Sequence, residues 1–144
     1  MRDIKYIVVH CTATQPRASI KAIQNYWTEN LKWKSPGYHY LIEATGYEHD
    51  LLGEDKIANG VKGFNSVSVH VSYVGGIDKK GKPLDTRTQQ QKEALKSRLH
   101  ALKTRYPNAI IQGHRDFLTR GKAGWKECPS FDVKEWLKSI NFNV

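Results

Sequence analysis

The sequence has little cysteine, no long apolar run and a shortage of acidic residues. Its 144 residues include only two cysteines, Cys11 and Cys128. Two are too few for a disulfide framework, and with one toward each end reduced thiols are the expectation. No stretch approaches the roughly 18 apolar residues that a membrane span needs, so no membrane insertion is expected. Hydrophobic residues make up 39% of the chain, and the mean hydropathy is -0.62. The opening residues, MRDIKYIVVHCT, carry a short apolar run and then turn polar. They lack the apolar core and small-residue cleavage site of a signal peptide. Synthesis in the cytoplasm is therefore expected, with any export by other means. Acidic residues number 14 against 23 lysines and arginines, a net charge of +9. That field favours an anionic partner: nucleic acid, anionic lipid or an acidic polymer such as a cell wall. The basic residues are scattered, with no run of five and no basic motif interleaved with aromatics, so nucleic acid is not the expected partner. Repeats, low-complexity tracts and linkers are also missing. One domain over residues 1–144, large enough to bury a core, is the expectation.

What is present alternates between two periodicities. KYIVVHCT, residues 5–12, is rich in β-branched side chains and predicts a buried strand. From Ser19, a plausible N-cap, the apolar residues Ile20, Ile23 and Trp27 fall three and four apart, which predicts a helix to about Leu31. SPG at residues 35–37 stops it. YHYLIEATG predicts a second strand with a turn at Gly46, and YEHDLL can pair back as a hairpin. SVSVHVSYVGG alternates and ends in a double glycine, a clear strand signal. Thr88 followed by Gln91 is a capping-box signature. Leu95, Leu99, Leu102 and Tyr106 then mark one face of a helix that ends before Pro107. NAIIQGH predicts a short buried strand. Asp132 with Glu135 resembles another cap, and Val133, Trp136, Leu137 and Ile140 give a last amphipathic helix. Strands alternating with helices predict an α/β domain, a central mixed sheet flanked by α-helices.

Three residues on this scaffold have the chemistry of metal ligands. His10 stands late in the first strand, His114 where AIIQGH meets its loop, and Cys128 in the loop that follows. A catalytic zinc site takes three His, Cys or carboxylate ligands and leaves a fourth position open. α/β sheets gather their sites at strand ends. Alone, a strand-end histidine is more often surface or satisfied core, and a lone cysteine is usually a small buried hydrophobe. Only the joint placement points to a metal; a cysteine hydrolase using Cys128 and His114 stays open beside it. Adjacent strand residues face opposite ways. If His10 faces a site, Cys11 packs in the core and Thr12 returns to line the pocket. His39, His49, His70 and His100 lack such context and read as structural or solvated.

The segments IVVHCTAT, PGYHYLI, VKGFNSVSVHVSYVGG, GHRDF and KECPSFDV stand in the order seen in the zinc-dependent N-acetylmuramoyl-L-alanine amidases of type 2. The chain resembles above all the compact bacteriophage lysozymes of amidase type, which share their fold with the peptidoglycan recognition proteins. The resemblance covers roughly residues 5–136. It implies Zn2+ as cofactor, held by His10, His114 and Cys128; many relatives have aspartate where the phage-like branch has cysteine. It implies catalytic roles for Tyr38, the tyrosine of GYH, and for Lys126, two residues before the cysteine. Asn65 sits where relatives keep a polar residue near the substrate, so it is expected, with Thr12, to bind substrate. The chain departs from the pattern before its central strand. Many relatives carry a histidine there in an AxHxG-like stretch, but IANGVKG has Asn59 and Gly60. Any help that histidine gives must be absent or supplied elsewhere.

The function implied is hydrolysis of the amide between N-acetylmuramic acid and the L-alanine of the stem peptide in bacterial peptidoglycan. The enzyme would be a monomer that reaches the wall after phage-type lysis or through a dedicated export machine. The alternative on the same fold is a recognition module that binds peptidoglycan without turnover. Such relatives typically lose a zinc ligand, the cysteine especially, whereas all three ligand types stand here.

Overall fold

Five strands form one mixed sheet: β1 (Tyr6–Cys11), β2 (Tyr40–Ile42), β3 (Glu48–Asp50), β4 (Ser68–Tyr73) and β5 (Ile110–Gly113). Their spatial order is β3-β2-β4-β1-β5. β1 runs parallel to β4 and β5, and β2 runs parallel to β4. β3 pairs antiparallel with β2 through a turn, closed by Gly46 N–H to the Glu43 carbonyl at 2.8 Å. The computed structural model describes residues 2–118 and 126–142. Parallel neighbours cannot be joined by tight hairpins. The crossovers contain the helices α1 (Ile20–Asn25) and α2 (Gln89–Arg105); a third, α3 (Val133–Ser139), packs on β5. Among the described residues no helix is long and apolar enough to cross a membrane.

Register divides the sheet into two faces. Ile7, Val9 and Cys11 of β1 share a face with Val69, Val71 and Tyr73 of β4, opposite which they stand. This face packs with Leu95, Leu99 and Leu102 of α2 and with Val133 and Leu137 of α3 in the main core. The other face carries Val8 and His10, paired with His70 and Ser72. A smaller cluster of Ile23, Trp27, Leu41 and Val74 covers part of it from α1. With the main core on one face and the smaller cluster over part of the other, β1 beyond Tyr6 and all of β4 are buried and tolerate near-continuous apolar sequence.

The helix ends follow their cap residues. Ser19 Oγ accepts the Ala22 N–H at 3.1 Å. The predicted helix to about Leu31 forms, but only its first six residues are α; Tyr26–Asn30 continues as a wider π-turn closed by Leu31 N–H to the Tyr26 carbonyl. The Thr88–Gln91 capping box forms in both directions. Gln91 is fully buried, and its Nε2 donates to the carbonyls of Ile42 and Val74 at 3.1 Å each. The start of α2 is thereby tied to the ends of β2 and β4. Asp132 caps α3 through the Glu135 N–H.

Candidate metal centre

His10 occupies the carboxyl end of β1, on the face that α1 covers only in part. β5 ends at Gly113, which pairs with Val9. His114 begins the 3-10 turn His114–Phe117 immediately after it. Two parallel neighbours therefore release their histidines at the same carboxyl edge, where open α/β sheets place their sites. The two rings lie 5.0 Å apart, centroid to centroid.

The loop bearing Cys128 is fastened to that edge from several sides. Arg115 N–H donates to the Cys128 carbonyl at 2.9 Å. Tyr73 Oη donates to the Pro129 carbonyl at 2.6 Å, and Ser130 Oγ to the Gly76 carbonyl at 2.8 Å. The Cys128–Pro129 peptide is cis. Gly76 itself must stay small against β1: its φ is +104°, and a Cβ there would fall 2.5 Å from Cys11 Sγ. The Cys11 N–H points at Cys128 Sγ at 3.2 Å.

One candidate ligand atom each from His10, His114 and Cys128 lies within 4.8 Å of the others, with Cys128 Sγ 3.8 Å from His10 Nδ1. Two imidazoles and a thiol form a borderline-to-soft donor set, suited to zinc rather than to magnesium or calcium. The far nitrogen of His10 is hydrogen-bonded, as in most metal-ligating histidines, and a backbone N–H stands ready to support a thiolate. On residue type, spacing and supporting bonds the trio fits a tetrahedral site with one open corner.

Protonation states favour the same use. Burial holds the His10 imidazole well below its ordinary range, and the neighbouring His70, His114 and Lys126 push in the same direction. Burial, then the Lys126 ammonium, brings His114 down to about 4. Both rings are neutral at pH 7 and offer lone pairs. Burial and the adjacent Cys11 push the Cys128 thiol up; a cation between the three residues would reverse that preference. Tyr38 donates from Oη to the Cys11 carbonyl at 3.1 Å, its ring 5.0 Å from that of His10. Burial, with Cys128 beside it, raises the phenol well above its usual value. Tyr38 is therefore a protonated donor and not a base near pH 7.

These residues border an open cleft of about 690 Å³. His10, His114, Cys128, Tyr38 and Lys126 all line it, and Ile23, Trp27 and Trp33 form an apolar wall. No carboxylate is among the described residues lining it. Thr12 lines it as expected, with its Oγ1 engaged by the Gly75 N–H at 3.0 Å and by Thr14 Oγ1 at 2.7 Å. Asn65 does not line it. Its carboxamide oxygen is instead taken up by the Val61 N–H at 2.7 Å and by His70 Nε2 at 3.0 Å.

Of the two expectations for His70, structural or solvated, the structural one holds, since it is fully buried; what sequence reasoning missed is its contact, Nδ1 2.8 Å from His10 Nε2. One signal was available. A histidine inside a buried apolar strand needs polar partners, because burying it without them is costly. Which partners it finds depends on the β1–β4 register, which the sequence does not display. His39 is also buried, stacked on His70 with ring centroids 5.9 Å apart. His49 instead pairs with Glu43, and His100 packs on Phe142.

Comparison with known proteins adds independent observations. A model of the family described as N-acetylmuramoyl-L-alanine amidase matches residues 1–131. The endolysin of Enterobacteria phage K11 is 39% identical over 139 residues, spanning 96% of this chain and 88% of the phage protein. The endolysin of Escherichia phage T7 is 36% identical over 133 residues, 90% of this chain and 83% of its own. Among solved structures, the Ph2119 endolysin of a Thermus scotoductus bacteriophage superposes with a TM-score of 0.80 at 26% identity, covering 96% of this chain and 85% of that one.

Proposed function

The chain belongs to the N-acetylmuramoyl-L-alanine amidase family, and from that premise we propose that His10, His114 and Cys128 hold a zinc ion with which it opens the bond between N-acetylmuramic acid and L-alanine. The enzyme is a peptidoglycan amidase of the endolysin kind. The observation that carries the zinc assignment is the gathering of three ligand atoms within 4.8 Å of one another beside the cleft.

A zinc ion held by His10, His114 and Cys128 would supply Lewis-acid chemistry, polarising the scissile carbonyl and acidifying water. The chain's own residues do the rest. Tyr38, kept protonated by burial, can turn its single hydroxyl proton from the Cys11 carbonyl to the scissile carbonyl oxygen as that oxygen gains charge. Lys126, exposed beside the ligands, offsets that developing negative charge with its ammonium. Losing one such donor typically costs about 2.7–4 kcal/mol of transition-state stabilisation. The apolar wall of Ile23, Trp27 and Trp33 keeps water from one flank of the cleft. The net charge of +9 draws the protein toward an acidic wall polymer.

Digestion of purified peptidoglycan with the zinc-loaded protein, followed by mass analysis, tests this reading. Sugar-free stem peptides beginning with alanine are expected; intact linkages would refute it. Chelator should stop product formation and added zinc restore it. Chelator resistance with sensitivity to thiol alkylation would point instead to a cysteine hydrolase.

A further inference from the structure

The polar groups behind His10 form a directed series. It begins at the backbone N–H of Val61, which can only donate, and which points at the Asn65 side-chain amide at 2.7 Å. The atom facing it must be the carboxamide oxygen, which fixes the orientation of that amide. The same oxygen lies 3.0 Å from His70 Nε2. An oxygen there can only accept, so His70 carries its proton on Nε2. Neutral His70 then presents a lone pair at Nδ1. That lone pair faces His10 Nε2 at 2.8 Å, so His10 must carry its own proton on Nε2. The remaining lone pair of His10 is on Nδ1, the nitrogen that faces Cys128 Sγ at 3.8 Å.

We propose that His70 and Asn65 are positioning residues that set the tautomer and ring angle of His10, so that its Nδ1 lone pair is always offered to the metal. Gly60 is part of this device. A Cβ at position 60 would fall 2.3 Å from His70 Nδ1 and 2.5 Å from two ring carbons. The His70 ring therefore fills the space into which any side chain at 60 would project. A larger residue there would displace the ring from His10. His39 steadies the other flank: its ring is nearly parallel to that of His70, at 10°, and its Nδ1 accepts the His70 backbone N–H at 3.0 Å. The inference rests on His10 as a ligand, a role given to it above.

Two measurements on the full chain test it. Nitrogen-15 shifts of the metal-free protein report the His10 tautomer. The Nε2–H form is expected in the wild type and a mixture in His70→Leu; a wild-type Nδ1–H form overturns the proposal. Zinc affinity from competition with a chromophoric chelator should fall about 10–100-fold in His70→Leu, the range usual for partners of metal-bound histidines. His70→Asn, whose side-chain oxygen can stand near the Nδ1 position, should recover most of that loss. Unchanged affinity in a folded His70→Leu overturns the proposal. Should that variant fail to fold, Gly60→Ala serves in its place: weakened zinc binding with an intact circular-dichroism spectrum supports the relay, and wild-type affinity sinks it. A wild type that takes up no zinc would refute the ligand assignment itself, an outcome distinct from a relay that fails while zinc still binds.

Discussion

At Cys128 two demands compete: burial favours the neutral thiol, while a metal ligand must be the thiolate. Metal uptake therefore has to expel a proton, and affinity should strengthen as pH rises. Calorimetry of zinc binding in buffers of different ionisation enthalpy should show that release; uptake without a proton would contradict a thiol ligand. Cys128→Ser should reduce bound zinc from about one per chain to a small residue, as measured by metal analysis after gel filtration. For Tyr38 the test is catalytic. Tyr38→Phe removes the hydroxyl but keeps the ring against His10 and Trp27. Turnover should drop about 10²–10³-fold with zinc content unchanged; undiminished turnover would exclude the phenol as a donor. At this scale the residue types of His10, His114 and Cys128 marked them in sequence as candidate ligands, because few other side chains can bind zinc. His70 was not so marked, since its meaning lies in a cross-strand neighbour.

Among the elements, the helix termini are written most plainly in the chain. Thr88 and Gln91 announce the start of α2 and form both bonds of the box. Thr88→Ala should destabilise the protein by about 1 kcal/mol, read as a shifted urea midpoint. The Thr88 hydroxyl also donates to the Ala44 carbonyl at 2.6 Å, so a null effect would mean that neither bond matters. Leu99 lies wholly inside the main core, and Leu99→Ala should cost about 2–5 kcal/mol. The strands were less legible in extent than in existence. YHYLIEATG suggested a strand leading to a turn at Gly46; the turn forms, Gly46 N–H donating to the Glu43 carbonyl, but regular pairing before it covers only Tyr40–Ile42.

For the whole molecule, pH is the most telling variable. His10, His70 and His114 are all held below their ordinary range, with burial the first cause in each. An unfolded chain takes up these protons near pH 6.5, whereas the folded chain resists; His114, for one, waits until about 4. The unfolded state then binds more protons, so stability is full above about pH 6.5 and declines as pH falls toward 4. Melting temperatures of the metal-free protein at pH 7.5, 6 and 5 should decrease in that order, and a flat profile would argue against neutral buried rings. By itself the sequence determined the fold class, the helix starts and the kinds of ligand available, because periodicity, capping chemistry and residue type are local properties. Only the tertiary structure decided that β1 and β5 lie side by side and release His10 and His114 at one edge. It alone decided that Cys128 is folded back to them, and that His70 rather than solvent meets His10. Those outcomes depend on strand order and register, and contacts between residues tens of positions apart leave no pattern in the chain that makes them.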